Sequence, residues 1–472
     1  MRNQTLVINE VENDVTLSIE EESKENKNVD RGEAVEEEQK PAIKCPMSHL
    51  LVDSGGKELS SGECTASIDR EYLSVFLKFG DILPFHLRDI MEIRGEDYRI
   101  SLSLSSMEKL TLFGLGEHFE DFLRTLTDLR NEMMIKDLLL NESVKKSDVE
   151  MEFIHYGDDW IQRESGGCKI RLYETGLVVL PQRDDVFRVP YSDVTKVSVE
   201  EFSVRIGLES GGSLLLSKLG SEFDPFLKSL SDILSELQQK TASSLKNLLP
   251  QIDPVSLRRI ANIMRDGKAV RRLDIDAISP KVWAEFEKRI ASFGLGEEFS
   301  FLKSLARGER VCIGYKRDLL GNLTGEYIWF LMPVYGVGDM APGNAIAMEA
   351  VEDKGTGKAT YFFRITGRAE YNGYKGIEEL DREADRQIKM INRCMIDINF
   401  RREPIYLPEE RLDEPAYLKY KIAVQKIPSL KTLRALYIGR VVHASLEQWK
   451  SDVTSLLKQN VMLADDSIRI VK

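Results

Sequence analysis

Leu115-Gly116-Glu117-His118-Phe119-Glu120-Asp121-Phe122-Leu123-Arg124-Thr125-Leu126 returns 104 residues later as Leu219-Gly220-Ser221-Glu222-Phe223-Asp224-Pro225-Phe226-Leu227-Lys228-Ser229-Leu230. At that fixed offset the chain matches itself without a gap from Gly62/Gly166 to Glu132/Glu236. Cys64/Cys168, Leu73/Leu177, Asp89/Asp193, Ser106/Ser210, Leu110/Leu214 and Gly116/Gly220 are identical pairs, and most other pairs set apolar against apolar. A register shared over such a length marks a duplicated module, and repeats have to be recognised before a fold is assigned.

Each copy of the stretch predicts a strand that turns at Gly116 or Gly220 into a terminal helix. Phe119, Phe122, Leu123, Leu126, Leu129 and Met133 fall on one helical stripe, as do Phe223, Phe226, Leu227, Leu230, Ile233 and Leu237. Ser221 is the expected N-cap of the second helix, with Pro225 in its first turn. Upstream, Tyr98, Ile100, Leu102 and Leu104 alternate with polar residues, the period of a half-buried strand. The second copy is cleaner: Lys169–Leu172 and Leu177–Leu180 flank a turn at Glu174-Thr175-Gly176, and Gly211-Gly212 makes a hairpin.

These residues carry a resemblance. A turn followed by Gly-Leu-Val-Val-Leu, then Val-Pro-Tyr-Ser-Asp-Val, an alternating strand, a Gly-Gly turn and a Phe-x-x-Phe-Leu helix resembles the pleckstrin-homology/GRAM-like superfold. The resemblance implies two tandem antiparallel β barrel-sandwich modules, each closed by a C-terminal helix, over residues 43–140 and 150–240. Lipid-binding members of that family use a cluster of Lys and Arg around the first hairpin. The comparable positions here are Lys169, Arg171 and Arg183 in the second copy, and Arg70 and Lys78 in the first. Neither set makes the family's basic motif, so the resemblance implies protein interaction without stable membrane binding.

The remaining chain divides by composition into a multidomain α+β arrangement. Residues 1–42 hold twelve acidic and five basic residues, and are expected to form a disordered acidic tail. Residues 241–309 read as a helical connector, with helix starts at Asp253-Pro254 and Ser279-Pro280. Residues 310–472 begin with four strand candidates at Val311–Tyr315, Tyr327–Leu331, Ala345–Val351 and Thr360–Ile365. They continue as helices from Gly376 to Asn399 and near 416–425, 430–436 and 446–457.

The net charge of −13 argues against nucleic acid as the partner of the whole surface. The five cysteines are scattered without metal-ligand spacing, so reduced buried thiols and no metal are expected. No stretch has the length of a membrane span, and a cytoplasmic protein is expected. No phosphate loop, dinucleotide fingerprint, nucleophile elbow or zinc-protease motif occurs, and no cofactor is expected.

Two groups of residues stand out as candidate sites. Arg258, Arg259, Arg265, Lys268, Arg271 and Arg272 crowd into fifteen positions, as on a basic helix suited to an acidic partner. Arg401 and Arg402, with Tyr371, Tyr374 and His443, are candidates for gripping an anionic ligand. The function expected is a non-enzymatic adaptor or signalling scaffold acting through protein partners. The alternative is a small-ligand sensor or enzyme seated in the C-terminal α+β domain, and catalysis stays open.

Overall fold

The computed structural model describes residues 7–11, 14–18, 42–138, 142–317, 325–336, 343–352, 358–373 and 376–462. In the acidic tail, β1 (Val7–Val11) pairs antiparallel with β2 (Asp14–Ser18). The rest of the tail, for which disorder is expected, lies outside the described residues.

The first module contains β3 (Ile43–Val52), β4 (Glu58–Ile68), β5 (Tyr72–Leu77), β6 (Ile82–His86), β7 (Ile90–Glu96), β8 (Arg99–Leu104) and β9 (Lys109–Phe113), closed by α1 (Phe119–Asp137). The second contains β10 (Val144–Tyr156), β11 (Gln162–Tyr173), β12 (Gly176–Pro181), β13 (Phe187–Pro190), β14 (Val194–Glu200), β15 (Ser203–Leu208) and β16 (Ser213–Ser217), closed by α2 (Phe223–Leu248). Each is one seven-stranded antiparallel sheet with the same strand order, β6-β5-β4-β3-β9-β8-β7 in the first and β13-β12-β11-β10-β16-β15-β14 in the second. The offset of 104 carries β5 onto β12, β7 onto β14, β8 onto β15 and β9 onto β16, residue for residue. Even the irregularity at the start of β7, between Ile90 and Glu92, recurs in β14 between Val194 and Lys196.

Alternation explains the cores. Cys64, Ala66, Ile68, Leu73 and Val75 point inward with Phe122 and Leu126 of α1. Cys168, Ile170, Leu172, Leu177 and Val179 do the same with Phe226 and Leu230 of α2. All five cysteines are free and buried. Ser221 does not cap its helix. The chain passes through a short 3₁₀ turn, Gly220–Glu222, and α2 begins at Phe223 with Glu222 at its N-cap and no side-chain cap bond. Gly116 and Gly220 stand at φ +54° and +55°, so the strand-to-helix turn uses a backbone conformation that side chains resist.

The third unit is a six-stranded antiparallel sheet, β17 (Val270–Arg271), β18 (Cys312–Arg317), β19 (Glu326–Tyr335), β20 (Asn344–Glu352), β21 (Ala359–Arg364) and β22 (Tyr437–Val442), in that order. One face is covered by α3 (Pro254–Ile263), α5 (Pro280–Ile290), α6 (Gly296–Leu305) and α12 (Leu446–Met462). The other is covered by α8 (Ile377–Asp397), α10 (Leu418–Lys426) and α11 (Pro428–Leu436). Asp253 caps α3 as expected, accepting from the amides of Val255 and Ser256 at 3.0 and 2.9 Å. Residues of the connector contribute β17, and β22 completes the sheet between two helices.

The three units share apolar surface and a charged joint. Met134 and Ile135 of α1, Leu138 just after it, and Tyr173, Val178, Leu180 and Val186 of the second module belong to the same core as α8 and α11. At the joint, buried Arg130 of α1 donates to the carbonyl oxygens of Ile90 and Met91 at 2.7 and 2.8 Å, and to Asp185 of the second module. Lys426 at the end of α10 donates to the other oxygen of Asp185 at 2.6 Å and to the Met91 carbonyl. Burial disfavours the Asp185 carboxylate, but Arg130 and Lys426 outweigh it and hold its pKa below the ordinary value.

Asp185→Ala leaves a nearly buried guanidinium without its counter-ion. The chain is expected to lose about 2–3 kcal/mol of stability, read as a lower urea midpoint. An unchanged midpoint would show that the apolar contacts alone set the docking.

Candidate functional site

The C-terminal sheet separates the residues proposed for one anionic pocket. Glu349 on β20 and Thr360 on β21 are fully buried on the face that holds Trp449 of α12. His443, just beyond β22, joins them: its Nε2 lies 3.0 Å from Glu349 Oε1 and 3.2 Å from Thr360 Oγ1, and its Nδ1 lies 3.5 Å from Glu298 of α6. Thr360 donates to Glu349 at 2.8 Å and accepts from the Trp449 indole at 3.2 Å. Arg402 belongs to the opposite face, its guanidinium 5.9 Å from the ring centroid of Tyr361. Arg401 follows α8 and its amide donates to the Ile398 carbonyl at 3.1 Å. The Tyr371 hydroxyl is buried against the Gly343 carbonyl and accepts from the Gly336 amide at 3.1 Å. Tyr374 lies outside the described residues. Arg402 and His443 therefore do not converge on one ligand.

The six basic residues of 258–272 do not share a helix either. Arg258 and Arg259 are exposed on α3, Arg265 lies in a 3₁₀ turn, Lys268 in a loop, Arg271 on β17, and Arg272 opens α4 (Arg272–Asp276). The break has a local cause: Asp266 at φ 54° and Gly267 at φ 80° turn the chain out of the helix. Arg265, Lys268 and Arg271 instead line a cleft of about 480 Å³ between the second module, the connector and α8, with Lys389. Carboxylates already meet two of them. Lys268 pairs with Glu209, and Arg271 pairs with Asp274 at 3.0 Å and Asp385 at 3.4 Å. Arg265 donates to the Val194 carbonyl at 3.1 Å.

The basic residues on the outer face of β11 and the β12–β13 turn meet carboxylates of α1, with Arg171 mostly buried and Arg183 left exposed. Arg171 grips Glu132 and, at 2.7 Å, Asp148; Arg183 meets Glu120 at 3.2 Å; Lys169 lies 3.9 Å from Asp128. Strand alternation puts Lys169 and Arg171 on the same outer face, where α1 lies across them.

A feature that motif reading missed lies at the tips of two equivalent hairpins. Tyr98, expected as part of a half-buried strand, instead lies in the turn between β7 and β8 at φ 57° and is 72% exposed, and Phe202, between β14 and β15, is 82% exposed. They are separated by the repeat offset of 104. Each ring leans on the phenylalanine that starts its module's helix: Tyr98 on Phe119 at 5.5 Å between centroids, Phe202 on Phe223 at 6.3 Å. Pairing the two copies position by position, before assigning strands, would have picked out this aromatic pair.

No protein-family model matches the chain, and no curated protein matches it. Among solved structures, a chain of the "Structure of the Spt16D Pob3N heterodimer" aligns with 36% of this chain and 84% of its own length, at 12% identity and a TM-score of 0.15. The fold description rests on strand order and register. Among the described residues, no helix is long and apolar enough to cross a membrane, and no group of three or more His, Cys, Asp or Glu side chains is arranged to hold a metal.

Two outcomes follow. Burial lowers the pKa of His443, but Glu349 and Glu298 outweigh it and raise the pKa above the ordinary value. The stabilisation is thus full below about pH 6.5 and is lost as pH rises through the folded-state value. Thermal melts should show wild type losing its advantage over His443→Gln as pH rises above about 6.5; a pH-independent difference would remove the ion pair from the account. Separately, with Lys169, Arg171 and Arg183 engaged by α1, the full chain should stay in the supernatant when centrifuged with phosphoinositide vesicles at physiological salt. Salt-sensitive pelleting abolished by Lys169→Glu/Arg171→Glu would contradict this.

Proposed function

We propose that the chain is a non-enzymatic scaffold that binds other proteins through two tandem pleckstrin-homology/GRAM-like modules. The observation that supports this reading is the pair of exposed aromatics, Tyr98 and Phe202, at one position of both copies. Exposed rings forgo the burial that favours large aromatics, and such rings serve as anchors at protein interfaces. Their lean against Phe119 and Phe223 restrains them before a partner arrives, which lowers the entropic cost of binding. Two such tips on one chain offer two points of attachment, and simultaneous engagement raises apparent affinity without new contacts. The adaptor role, action in signalling and a cytoplasmic setting belong to this proposal.

A second reading, a small-ligand sensor in the C-terminal unit, is favoured by the buried Glu349–His443–Thr360 group. Buried titratable clusters of this kind mark functional sites as well as structural ones.

The test is affinity capture from the native cell with the full chain, followed by mass spectrometry, alongside a Tyr98→Ala/Phe202→Ala variant whose melting is unchanged. A set of proteins retained by the wild type and depleted at least about tenfold by the variant is expected, since each truncated anchor contributes about 1–2 kcal/mol. Recovery of the same proteins with both forms, or of a bound metabolite and no protein, would overturn the scaffold reading.

A further inference from the structure

The duplication brings a second comparison. In the second module the outward residues of β11, β12 and the following turn are Lys169, Arg171, Tyr173, Val178, Leu180, Arg183 and Val186. Tyr173, Val178, Leu180 and Val186 lie in the core that α1 shares with the C-terminal helices, and Arg171, Lys169 and the exposed Arg183 reach carboxylates of α1 at the margin of that contact. Thus one copy of the module is already seen holding an amphipathic helix on the outer face of its sheet. The equivalent positions of the first module are Thr65, Ser67, Asp69, Ser74, Phe76, Phe79 and Ile82. Here Phe79 is 95% exposed and Ile82 53%, and Phe76, Ser74 and Thr65 are only half-buried. The face continues into a groove of about 860 Å³ between β6 and the C-terminal helices, bordered by Pro84, His86, Leu412, Lys421 and Val424.

We propose that this open face of the first module binds an amphipathic α-helix of a partner protein, in the way the second module holds α1. This deepens the scaffold reading and rests on it. The substitutions between the copies say what the helix looks like. The basic residues that hold the carboxylates of α1 are replaced by Thr65, Ser67 and Phe79, and Lys44 of β3 stands 5.1 Å from the Phe76 ring centroid, so the three ion pairs made by α1 are not reproduced here. The bulky Tyr173 and Val178 are replaced by Asp69 and Ser74, while Phe76, Phe79 and Ile82 gather at the β5–β6 turn. The matching helix therefore carries an aliphatic stripe concentrated at one end, with small polar residues beyond it. A second copy of this chain does not supply such a helix. Its α1 is buried in its own structure, and α2 has Gln238, Gln239 and Ala242 where α1 and the residue after it have Met134, Ile135 and Leu138. The charges around the apolar residues are mixed, with Glu63 paired to Lys78 at 2.6 Å, Asp81 exposed and Lys44 standing 5.1 Å from the Phe76 ring centroid, so the face lacks the basic cluster an anionic bilayer would need.

The probe is a labelled synthetic peptide of residues 117–138 carrying Glu120→Leu, which sets an aliphatic side chain against the Phe79 position, with Asp128→Asn and Glu132→Gln, titrated with the full chain by fluorescence anisotropy. Wild type is expected to bind it, and Phe79→Asp/Ile82→Asp to weaken binding at least about tenfold with an unchanged melting curve. Phe79→Leu/Ile82→Val keeps the face apolar and should bind within a few-fold of wild type. No binding to the wild type, or equal binding to the Asp variant, overturns the proposal. So does sedimentation showing a wild-type dimer that the Asp variant dissolves, because the occupant is then a second copy. If peptide binding fails while capture dependent on Tyr98 and Phe202 persists, only the helix site falls. If the peptide binds and that capture fails, the hairpin tips fall and this face remains.

Discussion

Arg130 is the point at which three folding units become one body. Its side chain is 2% exposed, and its donors reach two carbonyl oxygens of its own module and a carboxylate of the next. A guanidinium suits this position because it presents a rigid fan of donors and stays charged when buried. Lys426 approaches the same carboxylate from the C-terminal unit, so Asp185 is shared by two cations from two units. The apolar residues around the joint, from Met134 to Val186, supply the non-directional part of the docking. The charges supply direction: a rotation of either module leaves a desolvated ion without a partner, which is costly.

The repeat also fastens both modules to the same neighbour. Asp89 and Asp193, one of the identical pairs, each end a 3₁₀ turn, and each backbone carbonyl accepts from the residue that follows its β8 or β15 strand. Their side chains then diverge in partner and not in role. Asp89 takes Lys421 of α10 at 2.9 Å, and Asp193 takes Arg393 of α8 at 3.5 Å. Asp89 remains well exposed, whereas burial pushes the pKa of Asp193 up, with Arg393 opposing that shift. One ancestral carboxylate thus serves two attachments of different strength.

The legible part of this fold is what depends on local period and on comparison of the chain with itself. Alternation placed the inward faces of β4, β5, β11 and β12, and helical spacing placed Phe122 and Phe226 in their cores. Less legible was whatever depends on an element's neighbour. Strand β22 is six residues between two helices, includes Gly439 and Arg440, and is recognisable as a strand only by its pairing with β21. The six basic residues of 258–272 looked like a helix because sequence proximity conceals the turn at Asp266 and Gly267. Arg402 and His443 looked like neighbours because their density in sequence says nothing about which face of a sheet each one meets. The hairpin-tip aromatics were written in the sequence at the repeat offset, but only exposure separates them from the buried phenylalanines beside them.

Duplication followed by unequal docking also explains why the two outer faces differ. Once α1 settled on the second module, the outer face of β11 and β12 became an interior surface. Residues there answer to interior rules: Val178 is fully buried, and Arg171 is mostly buried between two carboxylates. Among the described residues no helix lies on the corresponding face of the first module, which keeps to surface rules along most of its length, with Thr65, Ser67 and Ser74. Phe76, Phe79 and Ile82 are the exception to that pattern. A solvent-facing turn gains nothing in stability from a phenylalanine that is almost wholly exposed, whereas an interface gains from burying it. The same structural position is thus interior in one copy and apolar yet open in the other, which is the signature of a contact that the chain leaves for something else to complete.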